Sequence, residues 1–211
     1  AALTARPNGN RVIYSDDFGR SWHALGGAAA LPVPGGDEPK CEELPDGRMI
    51  ITSRASGCRL LNIYTYSNTK SGEGCWDKPE KATMDGLALA PSTNPTIGEM
   101  LIVPAMRNSD GKPMYVALQS VPTGTGRNNV SIFYKELASP DDMRNAKAFA
   151  SGWDGCYQVS STVSMYSSMD LQADDRIAFF YEETLTKWGT KPNPVCTSFP
   201  QGEGEHNYDG C

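Results

Sequence analysis

The run Ser15-Asp16-Asp17-Phe18-Gly19-Arg20-Ser21-Trp22 constrains this chain more than any other stretch, because its Ser-x-Asp-x-Gly-x-Ser-Trp spacing builds one specific turn between antiparallel strands. Asp17 can accept hydrogen bonds from backbone amides of its own turn. Gly19 can take a positive φ without steric cost, and Trp22 can fold back as an apolar plug. Asp, Gly and Ser crowd into all hairpins, so this stretch alone also fits an ordinary hairpin turn. A degraded copy lies at Ser67 to Trp76: Ser67, Gly72 and Trp76 are kept, Thr69 stands in place of the Asp, and the loop is longer. The leading serines are spaced by roughly one propeller blade, which is about 40 to 50 residues.

Strand-like runs surround these turns: Asn10 to Ser15, Arg48 to Arg54, Arg59 to Ser67, Glu99 to Met106, Met114 to Ser120, Asn129 to Lys135, Ser164 to Leu171 and Arg176 to Glu182. Gly, Pro, Asn and Asp punctuate them, as in Ser109-Asp110-Gly111-Lys112 and Ala173-Asp174-Asp175. Many short strands with turn signals predict an all-β sandwich or a propeller. A single short helix is expected at Ser139-Pro140-Asp141-Asp142, with Ser as N-cap, Pro at the first position and acids in the first turn. The 21 Gly and 15 Pro among 211 residues suit a turn-rich β-protein. No run is apolar enough to span a membrane. A net charge of −6 leaves no basic stripe for nucleic acid, so an anionic ligand would need a local cationic pocket. Cys41, Cys58, Cys75, Cys156, Cys196 and Cys211 lack the paired spacing of zinc sites. They are compatible with either redox state, and disulfides of unassigned connectivity are possible in an exported protein.

Taken singly, the polar residues have plain readings. Glu38 sits in an acidic stretch with Asp37, Glu42 and Glu43 that reads as a solvated loop. Tyr166 lies in a strand-like run, where an aromatic is usually core packing. Arg54, Arg59 and Arg127 read as surface residues, and Glu182 as a strand-end charge. Asn129-Val130-Ser131 matches a glycosylation sequon, although Arg127 beside it favours a sugar pocket over an attached glycan.

Their order along the chain says more. The first turn is an Asp-box. With Glu38-Pro39-Lys40-Cys41-Glu42-Glu43-Leu44-Pro45-Asp46-Gly47-Arg48 and Thr52-Ser53-Arg54 after it, the chain resembles the exo-α-sialidase (neuraminidase) family, as in bacterial sialidases and trypanosomal trans-sialidases. Gly126-Arg127-Asn128-Asn129-Val130, then Met165-Tyr166-Ser167-Ser168-Met169, then Asp175 to Glu182, continue the resemblance in the family's order. It implies a six-bladed β-propeller of which this chain supplies about the last three to four blades. Residues 1–211 would then be part of a catalytic domain completed by further blades of the same protein.

The resemblance also implies roles. Tyr166 would be the nucleophile and Glu38 the base that takes its proton. Arg54 and Arg127 would grip the substrate carboxylate, with Arg59 as the second choice for Arg54, and Glu182 would orient a further arginine. Neither that arginine nor the acid that protonates the leaving group is recognisable here. Guanidinium suits this task because it pairs with carboxylate bidentately and keeps its charge. Sialic acid carries its carboxylate on the anomeric carbon, which would repel an anionic nucleophile; a neutral tyrosine avoids that repulsion. Free tyrosine titrates near 10, so it needs a base within reach and cationic surroundings. Sialylated glycans are the expected partners, without nucleic acid, membrane, metal or organic cofactor, and the substrate's location implies a secreted or periplasmic protein. The alternatives are a sialoglycan-binding propeller without turnover, a trans-sialidase, and an Asp-box propeller with no sugar site. The stretch from Asp85 to Thr96 is expected among the rim loops that set linkage preference.

Overall fold

The computed structural model describes residues 1–5 and 9–184. It is all-β, with several antiparallel sheets and almost no helix. The strands run β1 (Ala2–Ala5), β2 (Gly9–Tyr14), β3 (His23–Ala24), β4 (Asp37–Glu43), β5 (Met49–Ala55), β6 (Cys58–Asn68), β7 (Glu73–Trp76), β8 (Glu80–Lys81), β9 (Thr83–Met84), β10 (Leu87–Ala88), β11 (Met100–Met106), β12 (Pro113–Pro122) and β13 (Val130–Leu137). After a short helix, α1 (Ala146–Ala150), come β14 (Gly155–Gln158), β15 (Val163–Leu171) and β16 (Ile177–Thr184).

The sheets follow one another along the chain: β1-β2-β3, then β4-β5-β6-β7 with β8 also on β6, then β11-β12-β13-β14, then β15-β16, with β9 and β10 forming a small pair between the second and third. The opening strands of successive sheets touch: β1 packs beside β4, β4 beside β11, and β11 beside β15. Among the described residues these sheets close into no ring or barrel.

Period-two alternation explains how the second sheet is gripped on both faces. Ile50, Leu61 and Ile63 point one way and join Met100, Ala117, Val121, Phe133, Phe149 and Trp153 in one core. Ile51 and Tyr64 point the other way and join Val12, Leu25 and Val33 in a second. A sheet buried on both faces needs near-continuous apolar strands, which is what Met49-Ile50-Ile51 and Leu60-Leu61 supply.

Every strand-like run of the sequence is a strand, with ends displaced by at most two residues. The acidic stretch Asp37–Glu43 is also a strand, not a solvated loop. Its hydrophobic pattern is too weak to announce this, and partnership with β5 and β11 decides it. The single helix expected at Ser139 is instead a 3-10 turn, Pro140–Met143, followed by the separate α1. Asp142 Oδ2 accepts from the Ser139 N–H at 2.7 Å, as a cap requires. The extended backbone of Asn145 then breaks the helix, and its side chain caps α1 through the Ala148 N–H at 2.9 Å.

The Asp-box forms between β2 and β3 and works through its polar side chains. Asp17 accepts from the Ser21 N–H at 2.9 Å and the Ser21 hydroxyl at 2.7 Å; Ser15 Oγ accepts from the Gly19 N–H at 2.7 Å. The Ser21 amide, the Ser21 hydroxyl and the Ser15 hydroxyl hold the Asp17 carboxyl at about 2, below the usual range. Gly19 has φ +83°. Trp22 does fold back, donating to the Gly19 carbonyl at 3.2 Å, but it stays 54% exposed and is no plug. In the degraded copy Trp76 is the better packed of the two, lying 5.0 Å from Tyr64 and donating to the Leu25 carbonyl at 3.1 Å.

Candidate functional site

Two of the proposed site residues occupy the same unusual backbone setting. The β4–β5 ladder shifts register between Asp37 and Lys40, so Glu38 falls in a bulge with φ +40°. The β15–β16 ladder shifts between Met165 and Ser167, so Tyr166 falls in another, with φ +29°. Non-glycine residues in this region carry about 1 to 3 kcal/mol of strain, and bulges of this kind re-aim a side chain. Glu38 also precedes a proline, which disfavours any but extended backbone. Each bulge gives its N–H to side-chain oxygen: Glu38 to Asp37 Oδ1 at 2.9 Å and Thr4 Oγ1 at 3.1 Å, Tyr166 to Thr96 Oγ1 at 3.2 Å.

The side chains form two pairs. Glu38 Oε2 lies 2.8 Å from Arg54 Nη1, both side chains about one-fifth to one-quarter exposed. The approach is off-axis for a hydrogen bond, leaving that buried carboxylate oxygen as an ion-pair partner only. The Arg127 guanidinium lies 5.1 Å from the centroid of the Tyr166 ring, a cation–π contact. Arg127 stands in the β12–β13 turn rather than on a strand. That turn is fixed to the start of β15 by a bridge between Asn128 and Val163 and by the Ser164 N–H donating to the Arg127 carbonyl at 3.1 Å.

A segment with no regular structure, Ser92 to Glu99, runs past Arg127 and Tyr166. Asn94 Oδ1 accepts from Arg127 at 3.4 Å. The Thr96 carbonyl accepts from Arg59 Nη1 at 3.1 Å while its hydroxyl holds Tyr166. Glu99 pairs with Lys40 of β4 at 2.9 Å and accepts from Ser168 of β15 at 2.9 Å. The segment lies so close to β12 that a Cβ at Gly98 would meet the Ser120 carbonyl oxygen at 1.7 Å, which only glycine permits. The rim-loop expectation for Asp85 to Thr96 thus gives way, at its C-terminal end, to a buried tie between sheets: Thr96 is wholly buried.

Arg59 is corrected. It is fully buried, its Nε and Nη2 donate to Thr52 Oγ1 at 3.3 and 3.1 Å, and it cannot reach a ligand in solution. Burial lowers its pKa to about 10, opposed by the charge of Glu38. Arg54, by contrast, keeps solvent access. Glu182 is exposed, directly across the ladder from Met165 and hence beside the Tyr166 bulge. Its neighbour Glu183 is the engaged carboxylate, accepting from Ser160 at 2.5 Å, Thr162 at 2.6 Å and Tyr181 at 3.1 Å. On β4, burial together with the charges of Glu99, Glu43 and Asp170 pushes Glu42 up to about 7.

Among the described residues, Cys41, Cys58, Cys75 and Cys156 are free thiols; Cys196 and Cys211 lie outside them. No group of three or more His, Cys, Asp or Glu among the described residues is set to hold a metal ion. No helix there is long and apolar enough to cross a membrane. No protein-family model matches the chain, and a search of curated proteins returned no match.

Proposed function

We propose that the chain carries part of an exo-α-sialidase active site on propeller blades, with Tyr166 as nucleophile, Glu38 as its base and Arg54 and Arg127 as the carboxylate clamp. The observation that carries this reading is the pair of strained bulges, which fall on the base and the nucleophile that the sequence resemblance nominates. Strain of this kind persists where the surrounding structure over-determines it, and it clusters at active sites. The serial sheets, with each opening strand beside the next, support the propeller part of the reading.

In this reading the substrate carboxylate binds the two arginines. The Tyr166 oxygen attacks the anomeric carbon as the bond to the aglycone breaks, and the phenolic proton passes to Glu38. Water then attacks the anomeric carbon, the Tyr166 oxygen departs and takes its proton back from Glu38, and the proton lost by the water balances the one gained by the aglycone. Arg127 over the ring favours the electron-rich phenolate that develops during attack. The aglycone needs a proton that none of these residues is assigned to give.

The full-length protein is tested with a fluorogenic aryl α-sialoside and, separately, with a ring-fluorinated sialyl fluoride whose fluoride leaves without acid assistance. Release of sialic acid, and covalent labelling located at Tyr166 by peptide mass spectrometry, are expected. Transfer of the sugar to an added acceptor glycan would make it a trans-sialidase. Sialoside binding without turnover or label would make it a glycan-binding module, and neither binding nor label overturns the proposal.

A further inference from the structure

A chain of buried polar contacts closes on the Tyr166 bulge from both sides. On one side, the Tyr166 N–H, freed from the ladder, donates to Thr96 Oγ1 at 3.2 Å, and the Thr96 carbonyl is held by Arg59 Nη1 at 3.1 Å. Arg59 also holds Thr52 Oγ1, whose hydroxyl donates to Gln119 Oε1 at 2.6 Å. Gln119 Nε2 donates to the carbonyls of Glu99 at 3.0 Å and Ser120 at 3.1 Å. On the other side, Ser120 Oγ lies 2.8 Å from Ser167 Oγ, at the residue that follows Tyr166 in the bulge. Thr52, Arg59, Thr96, Gln119, Ser120 and Ser167 are all buried, the first five almost completely.

A buried guanidinium is costly unless its donors are satisfied and its geometry is fixed. Here its hydrogen bonds go to a hydroxyl and a backbone carbonyl, so its charge is spent on fixing the Ser92 to Glu99 segment against β5 and β6. That segment supplies the one hydroxyl that meets the Tyr166 N–H. Without an acceptor there, the bulge would have a half-buried amide to satisfy and a positive φ to relax.

We infer that Thr96, held in place by Arg59, is a positioning residue that sets the bulge at Tyr166 and thereby the aim of its phenol. The inference rests on the sialidase reading for its catalytic consequence but not for its structural one. In the full-length protein, Thr96→Val removes the hydroxyl at constant shape, and Thr96→Ser retains it. Amide hydrogen exchange, resolved by residue, is measured first, because it does not depend on activity. Exchange at Tyr166 is expected to rise at least about tenfold in Thr96→Val while Met169 and Phe133 stay protected, and to remain near wild type in Thr96→Ser. Arg59→Lys, which cannot span Thr52 and Thr96 together, is expected to give the same rise with the Thr96 hydroxyl intact. In the kinetic arm, kcat for the aryl sialoside and the rate of labelling by the fluorinated fluoride fall together about tenfold or more in Thr96→Val. KM changes little, because Arg54 and Arg127 are untouched, and Thr96→Ser restores the rate. An unchanged Tyr166 amide in Thr96→Val overturns the inference whatever the activity. A wild-type protein that neither turns over nor labels overturns the sialidase reading alone, and the exchange result still decides the positioning. Raised exchange with unchanged kcat in an active enzyme overturns the claim that the bulge sets the phenol's aim.

Discussion

At the level of single residues, the environment of each group decides its behaviour more than its type does. On the proposed sialidase reading, Tyr166→Phe removes only the phenolic oxygen, so sialic acid release and covalent labelling should disappear while carboxylate-dependent binding, followed by saturation-transfer NMR with sialic acid, persists. Normal turnover in that variant would refute the nucleophile assignment. Glu42 has its carboxyl raised to about 7, so the folded state prefers it protonated; an unfolded Glu titrates near 4.3. The mismatch destabilises the native state above pH 7, fades as pH falls between 7 and about 4, and is absent below. Glu42→Gln should therefore raise stability at pH 8 by about 1 kcal/mol after solvent screening is discounted, and by nothing at pH 4, as read by urea unfolding. Asp17 runs the other way. Its lowered carboxyl favours folding above pH 4 and loses that contribution as pH falls toward 2, so Asp17→Asn should lower Tm at neutral pH with a gap that closes near pH 2.

At the level of elements, β5 and β6 are the strands on which the rest is built. Ile50 is fully buried in the larger core, where truncation leaves a cavity between the second and third sheets. Ile50→Ala should cost about 2 to 5 kcal/mol in chemical unfolding. A loss under 1 kcal/mol would mean that the two sheets are not packed through this face. These apolar strands were legible in the sequence because period-two burial on both faces writes itself as runs of Ile, Leu and Met. β4 was not, because all its side chains but Cys41 are Asp, Glu, Lys or Pro, and its place is decided by pairing with β5 and packing beside β1 and β11. The bulges at Glu38 and Tyr166 were not legible either, since a register shift depends on both partners of a ladder. The helix expected at Ser139 was legible as a start signal only: Ser139 and Asp142 form the cap, while Asn145 stops the turn and opens α1.

For the molecule as a whole, the distribution of charge bears on what can bind. The chain is net −6, yet Arg54 and Arg127 stand at the candidate site. If the proposed clamp is right, binding of a sialoside depends on its carboxylate: the methyl ester is expected to bind at least tenfold more weakly by titration calorimetry, and equal affinity would argue against the clamp. The sequence by itself determined the all-β class, the positions of the long strands and the Asp-box, because these follow from local turn chemistry and short-period burial; the candidate site residues were nominated by the family resemblance alone. Only the tertiary structure decided that Arg59 is a buried strut and Arg54 the accessible arginine. Two arginines five residues apart look alike in sequence. Arg54 and Arg59 stand directly opposite each other on β5 and β6 and share one face of the sheet; what separates them is that the Ser92 to Glu99 segment covers Arg59 through the Thr96 carbonyl, while Arg54 stays half-open beside Glu38. The same holds for Thr96: nothing in Ser92 to Glu99 marks it, and its hydroxyl matters because residues 70 positions apart in the chain meet at a bulge that neither segment could form alone.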